Sequence, residues 1–141
     1  MKILIHLSSA IISEAIRMLL SENGLEARNW PSSAGFVPDI VLADVNTVSS
    51  DLFSGFPDSK VLLLDTGIKK EKLPEALLSY EISGIISADT NFDLFKKALT
   101  VIEEGRVWID KSTIRSFLTE SELVTKRESV RKKKVAASEH R

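Results

Sequence analysis

Short apolar runs alternate with amphipathic segments along the first 105 residues of the chain. Three runs are almost continuously apolar, at residues 3–7, 39–44 and 60–65. Continuous rather than alternating apolar residues are typical of strands that are buried on both faces. Weaker strand patterns at residues 25–30 and 84–87 bring the prediction to five strands.

A helix is predicted directly after the first strand. Ser8–Ser9 offers an N-cap, and Asn23–Gly24 supplies a left-handed stop. Between them, the apolar positions recur at helical spacing: Ile12, Ala15, Ile16, Leu19 and Leu20. A further helix is predicted over about residues 70–80, where Pro74 is tolerable because it falls in the first turns.

The last predicted helix follows the fifth strand. Thr90 and Asp93 resemble a capping box that opens this helix, and Gly105 closes it after Glu104. Its apolar stripe, with the apolar residues beside it, comprises Phe92, Phe95, Leu99 and Ile102, then Leu94, Ala98 and Val101.

Alternation of apolar strands with helices predicts an α/β fold with a parallel sheet and right-handed crossovers. Five strands suit the flavodoxin-like order 2-1-3-4-5. Only eight residues, 31–38, join the second strand to the third, with a proline at each end. A mean helix takes ~11 residues, so the second helix is expected to be missing and the flank of the sheet there thinly covered. Residues 45–59 allow two turns at most, around 50–53, so the third helix is expected to be short.

Composition changes this picture little. The chain has 141 residues, of which 43% are hydrophobic and 28% charged, and it has no cysteine. The apolar runs fall far short of the ~20 residues that cross a bilayer. The N-terminus has no pattern of a signal peptide, so we expect a cytoplasmic domain without disulfides or thiolate metal sites.

The net charge of −1 conceals an asymmetry along the chain. Residues 126–141 carry seven basic and two acidic side chains, a net charge of +5, so residues 1–125 carry −6. An acidic body argues against nucleic acid binding by the body itself, and only the tail could attract phosphate. Such a basic run is usually a solvated tail.

Three stretches resemble the receiver domain of bacterial response regulators. They are Pro38–Asp44, Phe56–Leu62 and Ser83–Ile86, and Glu104–Asp110 resembles the end of the receiver in LuxR-type transcription factors. The resemblance implies a receiver-like domain over residues 1–110, and it extends weakly over Ser112–Leu118 into a linker helix at 111–125. The basic tail at 126–141 is then expected to be disordered.

The resemblance also bears on DNA. Val124–Glu128 is similar to the start of the helix-turn-helix domain in LuxR-type proteins, but only thirteen residues follow Glu128. These are too few for a recognition helix. We therefore expect this chain to lack the DNA-binding domain, as a fragment or a short product would, and to reach DNA only through that missing domain.

The resemblance implies a phosphoacceptor at Asp44 and four helper positions around it. In receivers, an acidic pair holds Mg²⁺, and a hydroxyl and a lysine then contact the phosphoryl group. Here the acidic pair falls on Leu7 and Ser8, the hydroxyl on Asp65 and the lysine on Ala88. Every helper is lost.

These positions favour an atypical receiver-like domain in signal transduction and transcription regulation. It would act through protein contacts, without conventional phosphorylation, without a cofactor and without enzymatic activity. The alternative is a working two-component receiver, phosphorylated on Asp44 by a histidine kinase with Mg²⁺. A small α/β enzyme has little support, since the chain has neither a glycine-rich loop after the first strand nor a nucleophile–base pair.

Single residues also have simpler interpretations. Asp44 is interpretable as a strand-end carboxylate that caps the next turn, or as a partner of Asp65 in holding a cation or sharing a proton. His6 is expected to be a satisfied buried side chain. Trp108 and Phe117 are expected to be packing anchors.

The resemblance implies a partner surface formed by the fourth helix, fifth strand and fifth helix of a receiver, here about residues 70–104. Its charges have both signs, which suits a two-fold homodimer. They are Lys69, Lys70, Lys72, Lys96 and Lys97 against Glu71, Glu75, Glu81, Asp93, Glu103 and Glu104.

Overall fold

Six parallel strands form one sheet in the order β2-β1-β3-β4-β5-β6. The strands are β1 (Lys2–His6), β2 (Glu26–Asn29), β3 (Ile40–Ala43), β4 (Lys60–Asp65), β5 (Gly84–Ser87) and β6 (Trp108–Ile109). The predicted order 2-1-3-4-5 is confirmed. The sixth strand was not predicted, because two residues are too few to show a period.

Gly84 makes room for β6 beside β5. A Cβ atom at this position would lie 2.7 Å from the carbonyl oxygen of Trp108 and 2.8 Å from Cδ1 of Ile102. Only glycine permits so close an approach of another backbone. The amide of Trp108 donates to the carbonyl of Ser83 at 3.1 Å, and this bond begins the pairing.

The computed structural model describes residues 1–31, 35–67, 70–109 and Arg115. Met1–Ile109 forms one unit and Asp110–Arg141 a second. Within the second unit only Arg115 is described, as a helical and exposed residue. The linker helix and basic tail predicted at 111–125 and 126–141 otherwise lie outside the described residues.

Four α-helices accompany the sheet over the described residues. They are α1 (Ala10–Glu22), α2 (Ser50–Gly55), α3 (Leu73–Ser79), which a 3₁₀ turn at Lys70–Lys72 precedes, and α4 (Phe92–Glu103). The six-residue α2 is the shortened helix that the sequence predicted. None of the described residues between β2 and β3 is helical, in agreement with the predicted loss of the second helix.

The two long helices begin at side-chain caps. Ser9 Oγ accepts a hydrogen bond from the amide of Ile12 at 3.2 Å, as predicted for α1. For α4 the predicted cap at Thr90 is wrong, because Asn91 Oδ1 accepts from the amide of Leu94 at 2.8 Å. The amide of Thr90 instead donates to the carbonyl of Ser87 at 3.1 Å, so Thr90 still belongs to the turn that precedes the helix.

The core lies on both faces of the sheet. On one face, side chains such as Ile5, Leu42 and Leu64 pack with residues of α1 and α4. On the other face, Val41 and Leu63 pack with residues of α2 and α3. Strands buried on both faces explain why the apolar runs of β1, β3 and β4 are nearly continuous.

The expected thin cover is found at β2, whose Glu26 and Arg28 are exposed, but not over β1 and β3. Phe36 is buried and packs in the same cluster as Leu4 and Val41, both of which are fully buried. The guanidinium carbon of Arg28 lies 4.5 Å from the centre of the Phe36 ring, and Lys2 Nζ lies 5.9 Å from it. The Phe36 ring therefore covers β1 and β3 on this face, where the second helix is missing.

Candidate functional site

Asp44 directly follows β3 at the carboxyl edge of the sheet and is only 4% exposed. Its Oδ2 accepts from the amide and the hydroxyl of Ser8 at 2.8 and 2.7 Å. Its Oδ1 accepts from the amides of Asn46 and Thr47 at 2.9 and 3.1 Å. A carboxylate has about four lone-pair sites, so these four donors fill its capacity as an acceptor.

Thr47 supports the site, and the sequence analysis missed it. Its Oγ1 donates to the carbonyl of His6 at 2.6 Å and accepts from the amide of Asp44 at 3.0 Å. This hydroxyl therefore joins the ends of β1 and β3. An aspartate at a strand end with a threonine three residues later is a pattern typical of side-chain-capped turns, and it could have indicated this contact.

Leu7 and Ser8 occupy the positions where the resemblance implies an acidic pair. Leu7 is half-buried and packs against the core on the face of α1 and α4. Ser8 uses both its amide and its hydroxyl on Asp44. Magnesium requires oxygen ligands, usually carboxylates and waters, and these two side chains offer no carboxylate. The residues at this end of β1 do not fit a receiver's Mg²⁺ site.

Asp65 ends β4 and is 8% exposed. Its Oδ1 accepts from the amide of Gly67 at 2.9 Å. Ala43 pairs with Leu63 in the sheet, so Asp65 lies one residue beyond the level of Asp44. The structure therefore brings both carboxylates to the same edge of the sheet, each bound to the backbone of its own following turn.

Ala88 follows β5 at the position where the resemblance implies a lysine. Its amide donates to the carbonyl of Asp65 at 2.9 Å, so the residue lies at the predicted place. Its exposed methyl group carries no charge and cannot reach across the edge toward Asp44. Within the described part of the chain, no group of three or more histidine, aspartate and glutamate side chains is placed to hold a metal ion.

His6 is half-buried at the end of β1 and stacks on Trp30. The two ring centres are 4.5 Å apart, and the edge of Phe56 meets Trp30 at 6.0 Å. Burial lowers the pKa of His6, and the negative charge of Asp44 acts in the opposite direction without cancelling this effect. The imidazole is therefore neutral near pH 7, in an aromatic environment that suits a neutral ring.

Trp108 is half-buried and packs against the core cluster of α1 and α4. Its indole Nε1 is buried and has no hydrogen-bond partner among the described residues. Phe117, the other predicted packing anchor, lies outside the described residues.

No protein-family model matches the chain, and no curated protein matches it. Solved structures do match. The isolated receiver domain of RcsB from Salmonella enterica serovar Typhimurium, with the phosphomimetic BeF3-, is 18% identical with a TM-score of 0.62. The alignment covers 82% of this chain and 96% of that domain.

Two further structures show the same likeness. A LuxR-family DNA-binding response regulator from Silicibacter pomeroyi is 20% identical with a TM-score of 0.58, over 79% of this chain and 98% of that one. RcsB in a structure of two dimers bound to two parallel DNAs is 16% identical with a TM-score of 0.63, over 82% of this chain and 66% of that one.

Among the described residues no helix has the length and apolar character needed to span a bilayer. The strand order, the length of the matches and the position of Asp44 at the end of β3 agree with the resemblance that the sequence showed. The chain has the fold of a response-regulator receiver domain, as found in LuxR-type regulators.

Proposed function

We propose that this chain is an atypical receiver-like domain in signal transduction and transcription regulation. It acts in the cytoplasm through protein contacts, without an enzymatic reaction, a cofactor or conventional phosphorylation of Asp44. The observation that carries this proposal is the set of four hydrogen bonds that Asp44 accepts from Ser8, Asn46 and Thr47.

Those bonds oppose phosphoryl transfer to Asp44. An attacking carboxylate oxygen needs a free lone pair, and an oxygen that becomes an ester loses most of its strength as an acceptor. Phosphorylation of Oδ2 would leave the amide and hydroxyl of Ser8 without their acceptor. Ser8 is exposed, so water can replace this acceptor, and each loss costs less than the about 1–3 kcal/mol of a buried position.

The surroundings of Asp44 also oppose a bound phosphoryl group. A phosphoryl group carries a charge of about −2, and the carboxylate of Asp65 lies at the same edge of the sheet. Ala88 supplies no compensating cation. Two negative groups at one edge of the sheet repel each other, so the charge of Asp65 opposes a phosphoryl group on Asp44.

The alternative is a working receiver that a histidine kinase phosphorylates on Asp44 with Mg²⁺. The position of Asp44 at the end of the third strand of a receiver fold favours it. For this function, Ser8 must release Oδ2 before the reaction.

Incubation of the full chain with acetyl phosphate and Mg²⁺, followed by intact-mass measurement, distinguishes the two functions. We expect no mass gain for the wild-type chain. A stoichiometric phosphate adduct that disappears in Asp44→Asn would overturn the proposal.

A matched variant makes the negative result informative. Ser8→Asp, Asp65→Thr and Ala88→Lys together restore three of the helper groups that the resemblance implies. We expect this triple variant to acquire an adduct that depends on Asp44, which would show that the site is intact apart from these side chains.

We propose the domains that the sequence predicts. Residues 1–110 form the receiver-like domain, residues 111–125 a linker helix and residues 126–141 a basic tail. The mixed-charge face, which here comprises α3, β5 and α4, is one candidate contact surface. Among its described side chains, Glu104 pairs with Arg106 and Lys96 Nζ lies 5.5 Å from the centre of the Phe92 ring. The face offers charges of both signs to a second copy or a partner. Individual exposed ion pairs contribute only about 0–1 kcal/mol, so this face alone predicts weak binding.

A further inference from the structure

The turn that ends α1 contains the single Asn–Gly dipeptide of the chain, Asn23–Gly24. Both residues are exposed. The φ angle of Gly24 is +81°, and a Cβ atom there would meet nothing within 4 Å. The backbone conformation rather than crowding therefore favours glycine at this position. Besides ending the helix, the dipeptide brings together the groups of a covalent reaction.

An asparagine that precedes a glycine can lose its side-chain amide. The backbone nitrogen of Gly24 attacks Cγ of Asn23 and gives up its proton, the bond from Cγ to Nδ2 breaks, and ammonia leaves. A five-membered succinimide ring remains. Water then opens this ring at either carbonyl carbon, so the products are aspartate and isoaspartate and water is the co-reactant. Glycine favours the attack because it has no Cβ atom to shield its nitrogen.

The other asparagines of the chain serve as internal controls. They are Asn29, Asn46 and Asn91, and they precede a tryptophan, a threonine and a phenylalanine, whose side chains shield the attacking nitrogen. Asn46 and Asn91 are exposed like Asn23, so exposure alone does not distinguish Asn23 from them. The chain has no glutamine, so an amide that becomes a carboxyl must belong to an asparagine.

The folded turn keeps the reacting groups apart. The ψ angle of Asn23 is 19°, which places the nitrogen of Gly24 almost in line with the backbone nitrogen of Asn23 and away from the side chain. The amide of Gly24 donates to the carbonyl of Ser21 at 3.1 Å, and Asn23 Nδ2 donates to the carbonyl of Leu19 at 2.8 Å. Ring closure requires rotation about ψ, and this rotation breaks both hydrogen bonds.

We propose that Asn23 is a site of spontaneous deamidation and that opening of the last turn of α1 controls its rate. Helix ends open locally at a lower free energy than the core. This turn is held by Leu20, which is fully buried and whose carbonyl accepts from the amide of Leu25 at 3.0 Å. The inference goes beyond the proposed function, since it requires neither Asp44 nor a partner.

Deamidation changes the connection between α1 and β2. A carboxylate at residue 23 lies at the C-terminal end of α1, where the helix dipole disfavours an anion. It also removes the donor that the carbonyl of Leu19 has in Asn23 Nδ2. Isoaspartate in addition lengthens the backbone of residues 23–25, which join α1 to β2. Each product therefore has a less stable end of α1.

Peptide mapping by mass spectrometry tests the proposal on the full chain. One sample is incubated folded at mildly alkaline pH, and a second is incubated at the same pH in guanidinium chloride. We expect conversion at Asn23 in both samples, roughly tenfold slower in the folded chain because only molecules with an open last turn react. Asn46 and Asn91 are expected to keep their amides in both samples.

Two variants complete the test. Gly24→Ala adds a Cβ atom beside the attacking nitrogen, and we expect conversion in guanidinium chloride to slow roughly tenfold, in a comparison that does not depend on folding of the variant. Asn23→Asp carries the aspartate product, and we expect its urea midpoint to lie below that of the wild type.

Three results would overturn the proposal. Absence of conversion at Asn23 in both samples removes the site. Conversion in the folded chain that is as fast as in guanidinium chloride, or faster, removes the control by α1. A urea midpoint of Asn23→Asp that equals the wild-type value removes the consequence for the end of the helix.

Discussion

Helices α1 and α4 pack on the same face of the sheet and have 13 and 12 residues, yet they use their apolar residues in opposite ways. α4 buries Phe95, Ala98, Leu99 and Ile102 against the strands. α1 buries only Ser13 and Leu20 and exposes most of the residues that give it an amphipathic pattern. Helical spacing of apolar residues therefore reveals that a helix has an apolar face, but it does not reveal what covers that face.

The largest expected difference between the two helices is in their contribution to stability. Leu99→Ala on α4 removes a fully buried side chain, and we expect a loss of about 2–5 kcal/mol in the free energy of unfolding. Ile11→Ala on α1 removes a side chain that is 83% exposed, and we expect a change within about 0.5 kcal/mol.

Urea unfolding at a concentration where the chain is monomeric measures both values. Equal losses for the two variants in the monomer would contradict the contrast between the helices.

A smaller effect is expected at the caps, where the two helices are alike. Ser9→Ala and Asn91→Ala each remove one side-chain acceptor at a helix start, and we expect each to cost about 1 kcal/mol. Thr90→Ala is the matched control for α4, because Asn91 rather than Thr90 is the cap; its expected cost is smaller. Thermal unfolding by circular dichroism checks the three variants, and a larger loss for Thr90→Ala than for Asn91→Ala would restore the original prediction from the sequence.

The smallest expected effect is a pH dependence from His6, whose stack on Trp30 extends to Phe56 on the α2 and α3 face of the sheet. Burial lowers the pKa of His6 below its ordinary 6.5, so the unfolded chain binds this proton at higher pH than the folded chain. Stability from this group is complete above pH 6.5 and is lost as the pH falls from 6.5 through the lowered pKa. His6→Phe keeps a ring to stack on Trp30 but cannot titrate.

Urea midpoints at pH 7.5 and pH 5.5 are expected to differ more for the wild type than for His6→Phe. An identical pH dependence in both proteins would show that other groups carry it. On α4 and the strands beside it there is no described histidine, so variants there are not expected to change this dependence.

Local sequence was sufficient to predict much of the fold. Continuous apolar runs predicted β1, β3 and β4, because burial on both faces leaves little room for polar residues. The eight residues 31–38, with a proline at each end, predicted that the second helix is missing. The resemblance placed Asp44, Leu7, Ser8, Asp65 and Ala88 at the carboxyl edge, where the structure has them. β6 and the Asn91 cap were missed, since one depends on the close approach to Gly84 and the other on a choice between adjacent polar residues.

What the sequence determined by itself is therefore the set of elements, their order and the residues that follow each strand, because these depend on neighbours in the chain. The state of Asp44 was decided by tertiary structure, since Ser8 follows β1 and is 36 residues away in the sequence. The rotation of α1 was decided in the same way. Ser8, bound to Asp44, fixes the start of the helix, and the side-chain amide of Asn29 in β2 donates to Glu14 at 2.9 Å. In this rotation α1 buries Ser13 and Leu20 against the core, and Ile11 and Met18 face solvent.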